Sequence, residues 1–173
     1  MDYLKIQNLL DSMIVAAVAA GEAVLKIYQD DNFEVEIKAD SSPLTIADKE
    51  AHRIICEKLN TDFPSLPILS EESEQITFEE RKDWTTFFLV DPLDGTKEFI
   101  NRNGEFTVNI ALIINKKPIY GLIYMPAKNK FYYTKSKKSY FAKFDQKGKL
   151  KNIKVIKVKK RKKNILVFSR SHG

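Results

Sequence analysis

The stretch Phe87-Phe88-Leu89-Val90-Asp91-Pro92-Leu93-Asp94-Gly95-Thr96-Lys97-Glu98-Phe99 constrains this chain more than any other. Its first four residues form an apolar run of strand length, expected to be buried. The run stops at an acid, a proline, a second acid and a glycine. That order reads as a turn, stiffened by Pro92 and loosened by Gly95. Such a turn lets Asp91 and Asp94 converge, with the Leu93 carbonyl pointing into the same space. A set of oxygen ligands of this kind suits a hard cation, Mg²⁺ above all. Thr96 and Lys97 then open a helical pattern, and the N–H groups at its start can hold a phosphate. A plain strand followed by an Asp-Pro, Asp-Gly turn accounts for the same four residues without any ligand.

The remainder of the chain supplies two helices and a series of strands. Residues 3–28 read as one helix, because Ile6, Leu10, Met13, Ala17, Ala20, Val24 and Ile27 recur at steps of three and four. The small residues from Ala16 to Gly21 allow close approach to another helix. Phe33 to Lys38 alternates as a strand does. Thr45 is a good N-cap, with Asp48 completing a capping box. The helix it starts carries Ile46, Ala47, Ala51, Ile54, Ile55 and Leu59 on its expected inner face. Leu66 to Ser70 reads as a short buried strand ending at Glu71-Glu72-Ser73-Glu74, where a run of acids is ordinarily a solvated loop. Residues 74–83 read as a polar loop with a short helix. Strands follow at 106–115 and 118–125, then at 130–134 and 139–144, with turns between them and at Asp145 to Gly148. Pro126-Ala127 marks a bend. The expected fold class is α/β, an α+β sandwich, with two long helices on one face of an antiparallel meander.

Charge is distributed unevenly. Residues 1–127 hold 12 Lys+Arg against 22 Asp+Glu, and residues 128–173 hold 17 against 1. The acidic part contains the candidate cation ligands, and the basic part can face a phosphorylated ligand. The run from Lys149 to Lys163 lacks interleaved aromatics, so a solvated loop is expected there and nucleic acid is the disfavoured partner. A strand from Asn164 to Phe168 and a closing Ser169-Arg170-Ser171-His172-Gly173 complete the chain. The single cysteine, Cys56, rules out an internal disulfide and fits a reducing compartment. It falls in a helical pattern, where packing is its expected role. The alanine-rich stretch near residue 17 is too short to cross a membrane. Met1-Asp2 lacks the basic start of a signal peptide, so the expected location is the cytoplasm.

The central block resembles the signature of the Li⁺-sensitive, Mg²⁺-dependent phosphatases related to inositol monophosphatase, Asp-Pro-(Ile/Leu)-Asp-Gly-Thr followed by a helix. Its continuation, Lys97-Glu98-Phe99-Ile100 and Asn103-Gly104-Glu105-Phe106-Thr107-Val108-Asn109-Ile110-Ala111-Leu112, is most similar to the CysQ-type 3′(2′),5′-bisphosphate nucleotidases. Lys38-Ala39-Asp40-Ser41-Ser42-Pro43-Leu44-Thr45-Ile46-Ala47-Asp48 resembles a second motif of that family, and Glu71-Glu72 after a strand a third. The terminal Ser169-Arg170-Ser171-His172 resembles a stretch that touches the nucleotide.

The resemblance implies a first Mg²⁺ site of Glu71, Asp91 and the Leu93 carbonyl, with Asp94 reaching toward a second. It implies catalytic roles for Asp48, Thr96 and Glu71, with Glu72 behind them. It places Leu93, Asp94, Gly95, Thr96 and His172 against the substrate, adenosine 3′,5′-bisphosphate, which water attack converts to AMP and phosphate. It also implies that residues 1–173 are an N-terminal portion. The family continues into a further domain whose Trp-Asp-x-Ala-Ala motif holds the second metal, so activity of this portion alone is expected to be poor or nil. A homodimer is an assembly open to such a chain. Two rivals stand beside this reading: an inositol monophosphatase-type enzyme, and a non-catalytic or basic nucleic-acid-binding protein. No Ser/His/Asp triad or nucleophilic cysteine competes, since His52 and His172 lack suitable neighbours in sequence.

Overall fold

The computed structural model describes residues 3–30, 35–37, 43–73, 76–145, 149–159 and 166. Helix α1 spans Tyr3–Gln29 and helix α2 Ile46–Asp62. Between them lies a hairpin, β1 at Val35–Ile37 and β2 at Pro43–Thr45. Then come β3 at Ile68–Ser70, a short α3 at Phe78–Arg81, β4 at Thr86–Asp94 and α4 at Thr96–Ile100. The chain closes its sheet with β5 at Thr107–Ile114, β6 at Lys117–Met125, β7 at Lys130–Lys135, β8 at Lys138–Phe144 and β9 at Leu150–Ile156. The bend at Pro126 is a single 3₁₀ turn, Pro126–Lys128.

Strands β3 to β9 form one seven-stranded sheet in sequence order. Every neighbouring pair is antiparallel except β3 and β4, which run parallel. The tight connections follow from left-handed residues at Asn115 and Lys116 and at Ser136 and Lys137, the geometry that two-residue hairpins require. The sandwich of two long helices on a mostly antiparallel sheet is therefore as expected.

One layer of apolar contacts holds it together. Helix α1 buries Leu10, Met13, Ala17, Ala20 and Val24, and α2 buries Ala47, Ala51, Ile55 and Leu59. The two helices pack on each other and on β4, β5 and β6. They meet Phe88 and Val90, Val108, Ile110 and Leu112, and Leu122 and Tyr124, alternate residues of those strands. The small stripe of α1 serves the sheet as well as the helix pair. A Cβ at Gly21 would lie 2.4 Å from the Tyr124 ring, so only glycine permits this approach.

Three local expectations change. Leu89 is 44% exposed, because its side chain alternates onto the sheet face away from the helices. Ile46, the first residue of α2, is 51% exposed. The start of the basic run is not a loop. Leu150–Ile156 pairs with β8 as an edge strand, with residues 151–156 all exposed. The Lys160–Lys163 part of that run, the expected 164–168 strand apart from Leu166, Ser169 to His172 and Asp40 lie outside the described residues. No described helix is long and apolar enough to cross a membrane.

Candidate functional site

The site forms where β3 and β4 end side by side. Ser70 is opposite Val90 in the parallel pair, and the Glu71 N–H donates to the Val90 carbonyl at 3.0 Å. Glu71, the first residue past β3, thus lies beside Asp91, which is still within β4. Along the antiparallel pair Asp91 faces Asn109 and Asp94 faces Thr107, with a register shift between them. Two residues of β4, Pro92 and Leu93, oppose one of β5. A regular strand would send Asp91 and Asp94 to opposite faces. The extra residue resets the alternation and lets both acids serve one side. The expected turn is therefore a bulged strand, and the Asp-Pro-Leu-Asp segment stays in the sheet.

Asp91 carries the strongest electrostatic signature. Burial, the charges of Glu71 and Asp94, and a hydrogen bond with Glu71 push its carboxyl up to about 7, against a lowering contribution from Asn109. The Asn109 Nδ2 donates to Asp94 Oδ2 at 3.2 Å. Asp91 Oδ1 and Asn109 Oδ1 are buried with no hydrogen-bond partner. Each such acceptor costs about 1–3 kcal/mol if nothing meets it. Among the described residues no three His, Cys, Asp or Glu side chains are gathered closely enough to grip an ion by themselves. A hard cation fits the donors nonetheless: they are all oxygen, one is buried and unmet, and the Leu93 carbonyl lies between the two aspartates in sequence.

Behind the acids stands a second group. Asp48 is 1% exposed, and burial raises its carboxyl above the usual range against the pull of hydrogen bonds from Thr45 and Thr96. Its Oδ2 accepts from the Thr45 N–H at 2.7 Å and the Thr45 hydroxyl at 2.5 Å, completing the α2 capping box. Its Oδ1 lies 3.0 Å from the Thr96 Oγ1, which is also 3.2 Å from the Leu93 carbonyl. The hydroxyl has one proton for two acceptors. Thr96 begins α4, a helix of 5 residues whose N-cap, Gly95, makes no side-chain cap bond. Gly95 has φ +93°, and a Cβ there would lie 3.0 Å from the Glu105 carbonyl oxygen. The helix is held down by Phe99, whose ring centroid is 5.2 Å from that of Tyr28 and 5.3 Å from that of Phe106.

The fold thus gathers Asp48, Glu71, Asp91, Leu93, Asp94, Gly95 and Thr96 at one end of the β3–β4 pair. His172 lies outside the described residues. His52 has a partner that the sequence hid: its Nδ1 is 2.8 Å from the Ser70 Oγ. Cys56 is half-buried, and desolvation pushes its thiol up to about 11, consistent with packing. Asn109 is the site residue that sequence reading missed. Its signal was there, as the one polar side chain from Val108 to Ile114. Glu71, Asp91 and Asn109 border a depression of about 850 Å³ on the exposed sheet face, with Leu89, Ala111 and Ile123 among its other walls.

The chain is similar to known proteins over most of its length. The model of the inositol monophosphatase family matches residues 5–173. The 3′(2′),5′-bisphosphate nucleotidase CysQ of Shigella flexneri is 44% identical over 166 residues, 95% of this chain and 65% of that protein. The crystal structure of CysQ from Bacteroides thetaiotaomicron superposes with a TM-score of 0.68 at 48% identity, covering 79% of this chain and 49% of that one. The extragenic suppressor protein suhB from Bartonella henselae gives 0.70 at 31% identity, covering 78% and 52%. The chain therefore spans less than two thirds of the length of these relatives.

Proposed function

The chain belongs to the inositol monophosphatase family, and from that premise we propose that it is the metal-binding part of a 3′(2′),5′-bisphosphate nucleotidase. The reaction is hydrolysis of adenosine 3′,5′-bisphosphate to AMP and phosphate. The observation that carries this reading is the buried, unpartnered Asp91 Oδ1, set beside the charges of Glu71 and Asp94. The name of the relatives at 44% identity supplies the substrate class.

Glu71, Asp91, the Leu93 carbonyl and Asp94 are the residues to hold Mg²⁺. When bound, it supplies Lewis-acid polarisation of the phosphate and of an attacking water. The chain's own groups do the rest. The Thr96 hydroxyl directs its proton to Asp48 Oδ1, 3.0 Å away, which leaves a lone pair to receive an O–H of the water. Asp48, with its carboxyl already raised by burial, is the acceptor for the proton that the water gives up. The water oxygen bonds to phosphorus as the bond to the ribose oxygen breaks, and the ribose oxygen takes up a proton from solvent. On this reading the N–H groups of Gly95 and Thr96 bind phosphate oxygens, and the family resemblance assigns His172 to the nucleotide. A single free thiol fits a cytoplasmic setting.

A phosphate-release assay with Mg²⁺ tests the proposal. Adenosine 3′,5′-bisphosphate is expected to be hydrolysed in preference to inositol 1-phosphate. The reverse preference supports an inositol phosphatase, a reading the family also admits. The assay belongs on this chain and on a version lengthened to match its relatives, where a Trp-Asp motif is expected to complete a second metal site. Turnover of neither substrate by either length overturns the enzymatic reading.

A further inference from the structure

Asn109 is the residue at the acidic cluster whose presence the strand does not explain. It lies in β5 directly opposite Asp91, in a segment whose other residues, from Val108 to Ile114, are apolar. Asparagine is a poor strand residue, and an aliphatic side chain suits this position better. Its Oδ1 is buried and unpartnered. The Nδ2 end is the half that is used: it donates to Asp94 Oδ2 at 3.2 Å, and the side chain also hydrogen-bonds Asp91.

We propose that Asn109 is a positioning residue for the cation site, an amide clamp that joins Asp91 and Asp94 across the bulge. The bulge creates the need. Pro92 and Leu93 have no partners in the β4–β5 register, so the backbone ladder does not fix the angle between the two carboxylates. The amide holds each from outside and leaves Asp91 Oδ1 unclaimed, turned to account by an incoming ion. The chemistry of the residue matters as much as its place. A lysine there would put its own positive charge where the cation must go. An aspartate would add a fourth carboxylate to Glu71, Asp91 and Asp94. A neutral donor offsets their repulsion without repelling the ion. Groups that orient ligands in this way typically change metal affinity by 10–100-fold when removed.

The inference rests on the cation reading above, and its test separates the two. Mn²⁺ alone is titrated into the chain, with bound and free ion distinguished by electron paramagnetic resonance, for wild type and Asn109→Leu. Leucine has a similar volume and cannot donate. Mn²⁺ affinity is expected to fall about tenfold or more, in a variant that still shows a cooperative metal-free melting transition. Equal affinity in wild type and Asn109→Leu overturns the clamp and leaves the cation site standing. A wild type that binds no Mn²⁺ overturns the cation reading and the clamp with it. Should Asn109→Leu fail to fold, Asn109→Ser is titrated instead, its hydroxyl too short to span both acids; wild-type affinity there also overturns the clamp.

Discussion

The Thr96 hydroxyl meets the Asp48 carboxylate at 3.0 Å across 48 residues of sequence. One carboxylate thereby does two jobs. Its Oδ2 caps α2 through Thr45, and its Oδ1 orients the hydroxyl beside the Leu93 carbonyl. The jobs can be separated by mutation. Thr96→Val leaves the capping box intact, so phosphate release by the chain lengthened to match its relatives should fall about 10²–10⁴-fold, the usual worth of a positioned acid–base pair. The urea midpoint should move little. Asp48→Ala should lose activity and also about 1–2 kcal/mol of stability with the cap. Comparable activity in Thr96→Val and wild type removes Thr96 from the machinery.

Asp91 sets a pH dependence of defined sign. In the folded, metal-free chain its carboxyl holds a proton up to about pH 7, whereas an unfolded aspartate releases it near pH 4. The folded state binds more protons between those limits, so stability is greatest on the acid side and is lost as pH rises through the window. Asp91→Asn should flatten that slope in metal-free urea titrations. The same substitution should weaken Mg²⁺ binding in calorimetry, because it removes a formal charge from a hard-cation site. Mg²⁺ must displace the proton, so wild-type affinity should strengthen with pH up to about 7. Equal Mg²⁺ affinity in the two proteins excludes Asp91 as a ligand.

Gly95 is fixed by conformation. At φ +93° with a Cβ position 3.0 Å from the Glu105 carbonyl oxygen, Gly95→Ala meets both left-handed strain and a backbone contact. A loss of about 1–3 kcal/mol is expected in equilibrium unfolding. An unchanged midpoint would mean that the loop relaxes freely and that the entry to α4 is not constrained.

Phe99 ties α4 to α1. It is fully buried between Tyr28 and Phe106. Phe99→Ala should cost about 3–5 kcal/mol, the range for a deleted core aromatic. Phosphate release should fall further than stability alone explains, since α4 begins at Thr96. A variant that melts lower but turns over normally while folded would show that α4 is positioned by its entry turn instead.

The sequence by itself determined the parts that depend on short spacing. The helical repeats marked α1 and α2, the alternating runs marked β5 to β8, and Thr45 with Asp48 marked the start of α2, each through residues within a few positions of one another. The acids of the candidate site were legible for the same reason, as a compact Asp-Pro-Leu-Asp-Gly-Thr string. Tertiary structure decided whatever depends on a partner strand or a distant side chain. The bulge between Asp91 and Asp94 exists only in register with β5, so a local reading gave a turn. Lysines that looked solvated in sequence became an edge strand because β8 offered an open ladder. The exposure of Leu89 was settled by which sheet face the helices cover. Asp48 with Thr96, His52 with Ser70, and Asn109 with Asp94 are pairings across 48, 18 and 15 residues. Hydrophobic periodicity carries no information about such pairs, because they are fixed by the packing of whole elements and not by the residues between them.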